Sequence, residues 1–345
     1  MNPELKKVLE QKWYTQGFAG RPFFLVTVAS IDLMHRGLGF SYNAIPFLYK
    51  KDYCEANYAK KDLKEHAEII LQKLEKNPEY LKEKRNQYNQ EVAVFEEEYK
   101  TAETRTKKSD EKELFELSYR FGNSIESMAG IAHFHESISL RLEHEIRHLL
   151  MEKVKGKQLN EAFSTLTTPT AQSFLGKKEE ALWIIKNAPQ EKKEALAQEF
   201  IKNFFWVKSG YTGSHALTII EVLDEADRLE RFLKPDFEKI KKQKEQLFQQ
   251  YDFTEKGIQW IQWSEFLTDW QDERKKNIFR AIFYADQALH EISKRYTIEV
   301  KYLHYLLPHE ITLSSIQDPQ TKKTAEKRIQ GVVFVKKRGK TLVFD

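Results

Sequence analysis

The chain has 345 residues, of which 41% are hydrophobic and 31% charged, the composition of a well-charged globular protein with room for two or three domains. Its 56 basic and 52 acidic side chains nearly cancel to a net charge of +4, which argues against a partner made of nucleic acid or a membrane surface. A single cysteine, Cys54, excludes an internal disulfide and a cysteine-rich zinc site, and with only 13 glycines and 9 prolines the chain is suited to long helices rather than to a glycine-rich nucleotide fold.

The first residues, Met-Asn-Pro-Glu-Leu-Lys-Lys, contain no apolar signal core, and the apolar run Phe23–Ile31 is too short to span a bilayer. A reducing cytoplasm is the expected location. Residues 1–60 read as an α/β region. Within it Phe23-Phe24-Leu25-Val26-Thr27-Val28, aromatic and β-branched, predicts a strand. The segments 45–49 and 53–58 predict a hairpin around Lys50-Lys51-Asp52.

From Asp62 the apolar period becomes helical, with Leu63, His66, Ile69, Ile70 and Leu74 on one face. Pro78 starts a second helix to about Thr104, and Ser109-Asp110 can cap a long helix to about Leu150. These form a predicted long-helix bundle over 61–155. After a polar break at Lys153–Asn160, a second helical block over 156–330 includes Leu217–Phe232, Phe237–Tyr251 and Trp270–Tyr296. Residues 331–345 predict a hairpin turning at Arg338-Gly339. Lys336-Lys337-Arg338 is read as a solvated turn rather than a phosphate surface. The expected fold is mainly α, a multi-helix domain with small β hairpins near the N-terminus and at the C-terminus.

Two short motifs carry candidate chemistry. His144-Glu145-Ile146-Arg147-His148 matches the H-E-x-x-H pattern, which on a helix sets two imidazoles one turn apart for zinc with the glutamate as base. The apolar stripe of this helix is Ile131, Phe134, Ile138, Leu142, Ile146 and Leu149, so His144 lies towards the polar side. The motif therefore reads as a solvated or structural histidine pair, and the expected metal set is none. Thr212-Gly213-Ser214-His215-Ala216 resembles the Thr-Ser-His-Ala segment of phosphoenolpyruvate-utilising enzymes, with Gly213 in place of a threonine. Ser214 also suits a helix N-cap region, and Thr218 with Glu221 offers a capping box. The stretch Asn203–Thr218 as a whole is dense in aromatics for a loop, and Tyr211, beside glycines, is the aromatic expected to face a ligand.

Segments spread along most of the chain resemble, in order, the helical middle region of phosphoenolpyruvate synthase-like, PEP-utilising proteins. They are Trp13-Tyr14-x-Gln16-Gly17-Phe18, Ala132-His133-x-x-Glu136, Leu166-Thr167-Thr168-Pro169-Thr170-x-x-Ser173-Phe174 and Phe205-Trp206-Val207-Lys208-x-x-Tyr211. Arg274-Lys275, Tyr302-Leu303 with Pro308-x-Glu310-Ile311, and Arg328-x-x-Gly331 complete the order. The resemblance implies a helical domain that in multidomain relatives lies between an ATP-grasp domain and a swivelling phosphohistidine domain. In antibiotic phosphotransferases the comparable domain binds the acceptor. Neither flanking domain is read in this sequence, so phosphoryl transfer by the chain alone is not expected.

The function expected is that of a substrate-binding or accessory protein, catalytically incomplete alone, with no cofactor of its own. Its pocket would draw on His133, Glu136, Thr167, Thr168, Trp206, Lys208, Tyr211, Arg274 and Lys275. Lys208, Arg274 and Lys275 would meet an anionic or phosphorylated group, and Trp206 and Tyr211 would wall the site. The candidate partners are a small-molecule or phosphorylated ligand and a separate ATP-grasp or phosphohistidine protein. A zinc-dependent hydrolase through His144 and His148 and a helical protein-interaction scaffold are the alternative readings.

Overall fold

A computed structural model describes residue 6 and residues 10–344. The protein is mainly helical, with one five-stranded antiparallel sheet. No helix among the described residues is long and apolar enough to cross a membrane. The chain divides into two compact units. The first comprises residues 1–134, 208–215 and 277–345, and the second residues 135–207 and 216–276.

The strands of the first unit are β1 (Trp13–Ala19), β2 (Ile45–Lys50), β3 (Tyr53–Ala59), β4 (Val332–Lys337) and β5 (Lys340–Phe344), in the spatial order β1-β3-β2-β4-β5. Both predicted hairpins form. Lys51 takes φ 53° in the tight turn of the first, and Gly339 takes φ 73° in the second, where a glycine bears the left-handed conformation without strain. The two hairpins are more than the small additions expected. β2 pairs with β4, Phe47 opposite Phe334, and merges them into one sheet. The physical reason is that a two-stranded hairpin is marginal in water. Here Ile45, Phe47, Tyr49, Phe334 and Val335 are all buried. β1, which the sequence reading did not separate as a strand, pairs along its whole length with β3.

The predicted strand at 23–28 is a helix, Pro22–Val28. Pro22 stands at the helix start, where its missing N–H costs nothing, and the Thr27 hydroxyl donates back to the Phe23 and Phe24 carbonyls. Every residue from Pro22 to Thr27 is buried, so no amphipathic period distinguishes helix from strand. Phe23 and Phe24 join the core of the first unit with Leu114, Phe121 and Ile125 from the helix Glu111–Ala129 and Ile278, Ile282 and Leu289 from the helix Glu255–Tyr296.

The long helix expected to run to about Leu150 is interrupted. Asp110 caps Glu111–Ala129 by accepting from the Glu113 N–H at 2.9 Å, but the helix stops at Gly130. A 3₁₀ turn, Ile131–Phe134, and the helix His135–Met151 follow. A Cβ at Gly130 would come within 3.2 Å of Leu33. The helix predicted from Trp270 begins at Glu255 and has 42 residues. In the second unit, Leu182, Ile185, Ala197, Phe200, Leu217, Val222 and Ala226 form a separate core. Thr218 and Glu221 make the anticipated capping box on the helix Ile219–Arg228.

One buried ion pair fastens the approach to β4. The Arg328 guanidinium donates to both oxygens of Glu310, at 2.6 and 2.8 Å, and to the Tyr305 carbonyl at 3.1 Å. Burial alone would raise the Glu310 pKa, but the Arg328 hydrogen bonds and the Leu307 N–H outweigh it and hold it below the usual range. Glu310→Ala leaves the Arg328 charge, 5% exposed, without its carboxylate, and is expected to cost about 3 kcal/mol, read as a lower denaturant midpoint at unchanged slope.

Candidate functional site

The aromatic stretch singled out in the sequence is divided between the two units after Val207, and Lys208–His215 belongs to the first. Within it Gly210 and Gly213 exchange backbone hydrogen bonds at 2.9 and 3.0 Å, closing a tight turn. Gly213 has φ 123°, and a Cβ there would sit 3.0 Å from Asp286 Oδ2 and 3.4 Å from the His304 ring. The position therefore needs glycine twice over, for its dihedral and for its closeness to a carboxylate.

Asp286 holds the turn. Its Oδ2 accepts from the Ser214 N–H at 2.6 Å and from the Ser214 hydroxyl at 2.9 Å, and its Oδ1 lies 2.6 Å from His304 Nε2. On the other side of the imidazole, Arg21 Nη1 lies 2.6 Å from His304 Nδ1. A guanidinium only donates, so Nδ1 accepts and Nε2–H donates to Asp286. Arg21 Nε completes the chain by donating to Asp52 Oδ1 at 2.8 Å. The order is therefore Ser214–Asp286–His304–Arg21–Asp52. Asp286 is 1% exposed and His304 2%.

Burial would raise the Asp286 pKa, but the hydrogen bonds from His304 and from the Ser214 N–H outweigh it and lower it. The Asp52 pKa is lowered first by the hydrogen bond from Arg21. The Tyr305 phenol, which donates to the Lys51 carbonyl, is pushed up to about 12 by burial and by the Asp52 charge.

The backbone repeats the fastening. Arg21 N–H donates to the Tyr211 carbonyl at 2.8 Å and Phe23 N–H to the His304 carbonyl at 3.0 Å. The Tyr211 ring stands edge-on between Phe18 and Phe279, with centroids 5.9 and 5.8 Å away. Lys208 and His215, at the ends of the segment, are exposed, whereas Ser209 between them is 6% exposed with no hydrogen-bond partner for its hydroxyl among the described residues.

The other residues expected in a pocket take different surroundings. In the first unit, His133 is 3% exposed, with Nδ1 3.1 Å from the Val28 carbonyl and its ring against Tyr42 and Tyr58. In the second unit, Arg274 Nη2 reaches Glu136 Oε1 at 3.4 Å, with both side chains mostly buried. Glu136 and Arg274 are thus the two predicted residues that a direct ion pair brings together. The Thr167 and Thr168 hydroxyls donate to the Phe163 and Ser164 carbonyls four residues back, at 2.8 and 2.6 Å. Trp206 is 3% exposed, stacks edge-on to Phe174 and donates to the Asn203 carbonyl at 3.2 Å. Lys275 is exposed.

The Leu-Thr-Thr-Pro-Thr loop of the second unit is fastened by a group that no sequence motif marks. Glu265 accepts from the Thr170 N–H at 2.8 Å and from its hydroxyl, and pairs with the buried Lys244 at 2.7 Å. Asp286, His304, Arg21 and Asp52 likewise belong to no motif in the sequence. The signal available for Asp286 was a carboxylate on the apolar stripe Ile278, Ile282, Ala285 and Leu289 of its helix.

His144 and His148 lie on solvent, with side chains 74% and 59% exposed, and Glu145 pairs with Arg141 at 2.7 Å. No group of three or more His, Cys, Asp or Glu that could hold a metal ion occurs among the described residues. Comparison with known proteins gives no match to any family model, curated protein or solved structure.

Four outcomes follow from this geometry. Asp286→Asn removes the charge that draws Ser214 and His304 together, and the Ser214 amide is expected to lose its hydrogen-exchange protection. Because the folded-state Asp286 pKa is lowered, its contribution is complete above the ordinary carboxylate range and is lost as pH falls through the lowered value. The stability gap between wild type and Asp286→Asn should therefore shrink below about pH 4 in acid-titrated denaturant curves. Gly213→Ala is expected to cost about 1–3 kcal/mol, while His144→Ala and His148→Ala, both on solvent, should stay within about 0.5 kcal/mol of wild type.

Proposed function

We propose that this chain is a substrate-binding or accessory helical protein, akin to the central domain of PEP-utilising phosphotransferases and catalytically incomplete alone. Its ligand-facing element in this reading is the turn Lys208–His215. The observation that carries the reading is the way the turn is mounted. A buried carboxylate, a buried imidazole engaged at both nitrogens and a guanidinium are joined in one chain that ends on Ser214, and the Arg21 N–H holds the turn again at the Tyr211 carbonyl. A dyad whose imidazole is engaged at both nitrogens is a poor general base, since proton abstraction needs one ring nitrogen open to the substrate. The same dyad is a good mount, because binding groups held rigidly lose little entropy on meeting a ligand.

The side chains that such a mount presents are Lys208 and His215, both exposed, with Thr212 and the edge of Tyr211 between them. A cation and an imidazole around a hydroxyl and an aromatic edge suit a phosphorylated small molecule. The phosphoryl chemistry itself would come from a separate ATP-grasp or phosphohistidine protein.

The test is a thermal-shift series with phosphoenolpyruvate and ATP. A ligand at about 100 times its dissociation constant adds about 2.7 kcal/mol, and Lys208→Ala and His215→Ala are expected to abolish the shift, each read against its own apo midpoint. Labelled phosphoenolpyruvate or ATP should leave no label on the chain. Label that disappears in His215→Ala would replace the accessory reading by a phosphohistidine enzyme.

A further inference from the structure

The C-terminal hairpin of the first unit forms one wall of a cavity of about 560 Å³. The helix Ile31–Leu38, the helix Glu111–Ala129 and His309 make the other walls. The hairpin is tied across this space at several points. Gly339 N–H donates to both Asp32 oxygens at 3.0 and 3.1 Å, Arg338 Nη1 lies 3.2 Å from His35 Nε2, and Lys336 pairs with Glu126 at 3.4 Å. A cavity roofed in this way does not depend on a mobile loop for its shape.

Its lining has the chemistry of a polar ligand site. Leu33 is the one aliphatic side chain in the wall, and Asn123, Ser127 and Thr341 offer neutral hydrogen-bonding groups. The two lining carboxylates already have partners, Asp32 in the Gly339 N–H and Glu126 in Lys336. Counting the side chains of the wall, Arg36, Lys336 and Lys340 carry three positive charges against the two negative charges of Asp32 and Glu126.

Arg36 is the centre of this excess. It has no carboxylate within ion-pair distance among the described residues, although its charge acts on Glu126, whose pKa burial raises. A second, smaller cavity of about 210 Å³, with Glu91 in its wall, shares Leu33, Arg36 and Ser127 with the first, so Arg36 lines both. A planar, permanently charged fork beside neutral donors is the arrangement that takes up a phosphate group in two parallel hydrogen bonds.

We infer that this cavity is a binding site for a small phosphorylated polyol, with Arg36 and Lys340 taking the phosphate and Asn123, Ser127 and Thr341 the hydroxyl groups. The site is separate from the Lys208–His215 turn and shares no residue with it.

Titration calorimetry of the full chain at low ionic strength tests it, with glycerol phosphate as probe and glycerol and inorganic phosphate as controls. Glycerol phosphate is expected to bind more tightly than either control. Arg36→Met is expected to weaken it at least about ten-fold, and Lys340→Met to weaken it to a smaller degree, because the fork is lost in the first and a point charge in the second. Arg36 is exposed, so the variant should keep the wild-type melting midpoint, and Arg36→Lys should recover part of the affinity. Lys208→Ala and His215→Ala should bind glycerol phosphate as wild type does. Equal binding by wild type and Arg36→Met, equal binding of glycerol and glycerol phosphate, or no binding to wild type would overturn the inference. Loss of binding in Lys208→Ala in place of Arg36→Met would assign the phosphate to the turn, sinking this inference and leaving the proposed function standing.

Discussion

The pairing of β2 with β4 is the constraint on which the first unit rests. It sets Ile45 opposite Lys336 and Tyr49 opposite Val332, and so closes the two ends of the described chain into one sheet. Without it the two hairpins would each expose an apolar face and an unpaired edge. With it, β5 and the turn at Gly339 come to lie against Asp32 and His35, and the polar cavity acquires its roof. The ion pair of Arg328 with Glu310 acts on the same junction, since Arg328 belongs to the helix Pro319–Gln330 that leads directly into β4.

A second constraint is electrostatic. Asp286 is a carboxylate placed where its helix should be apolar, and its burial is tolerated because three hydrogen bonds meet its two oxygens. Arg21 and Asp52 extend the compensation to the surface, so the chain of charges ends in water at Asp52. Such a network has value as a positioning device rather than as a source of net stability, because a buried charge gains from its partners roughly what it loses in leaving water. What it positions is the Gly210–Gly213 turn, and through it Tyr211 between Phe18 and Phe279.

The sequence makes some of this legible and hides the rest for identifiable reasons. Helices with a clear apolar stripe, such as Lys60–Lys76, and hairpins with a local turn signal, such as Arg338-Gly339, depend on neighbouring residues and can be read directly. Pro22–Val28 is buried all round, and a run with no polar face carries no period, so its β-branched residues pointed to the wrong element. At the break, Gly130 faces Leu33, nearly one hundred residues away in the chain, so its need for a residue without a Cβ has no local signal. Of the candidate site, Tyr211, Lys208 and the glycines were visible because a loop rich in aromatics is unusual. Their support was not, since Asp286, His304 and Arg21 lie in three distant segments and none has a neighbour that marks it. Glu136 and Arg274 were selected separately and do meet, whereas Thr167 and Thr168 turn their hydroxyls back on their own helix.

The same β2–β4 pairing has a consequence for how the protein is made. A ribosome releases β2 and β3 more than 250 residues before β4, the strand that must lie beside β2. Until then Ile45, Phe47 and Tyr49 present an open apolar edge to the surroundings, and the whole second unit is synthesised in the interval. Pairings between distant segments are slow to form and leave intermediates with exposed strand edges. Chaperone dependence during synthesis should therefore concentrate on this strand, and a chain released short of Val332 would carry the hazard permanently.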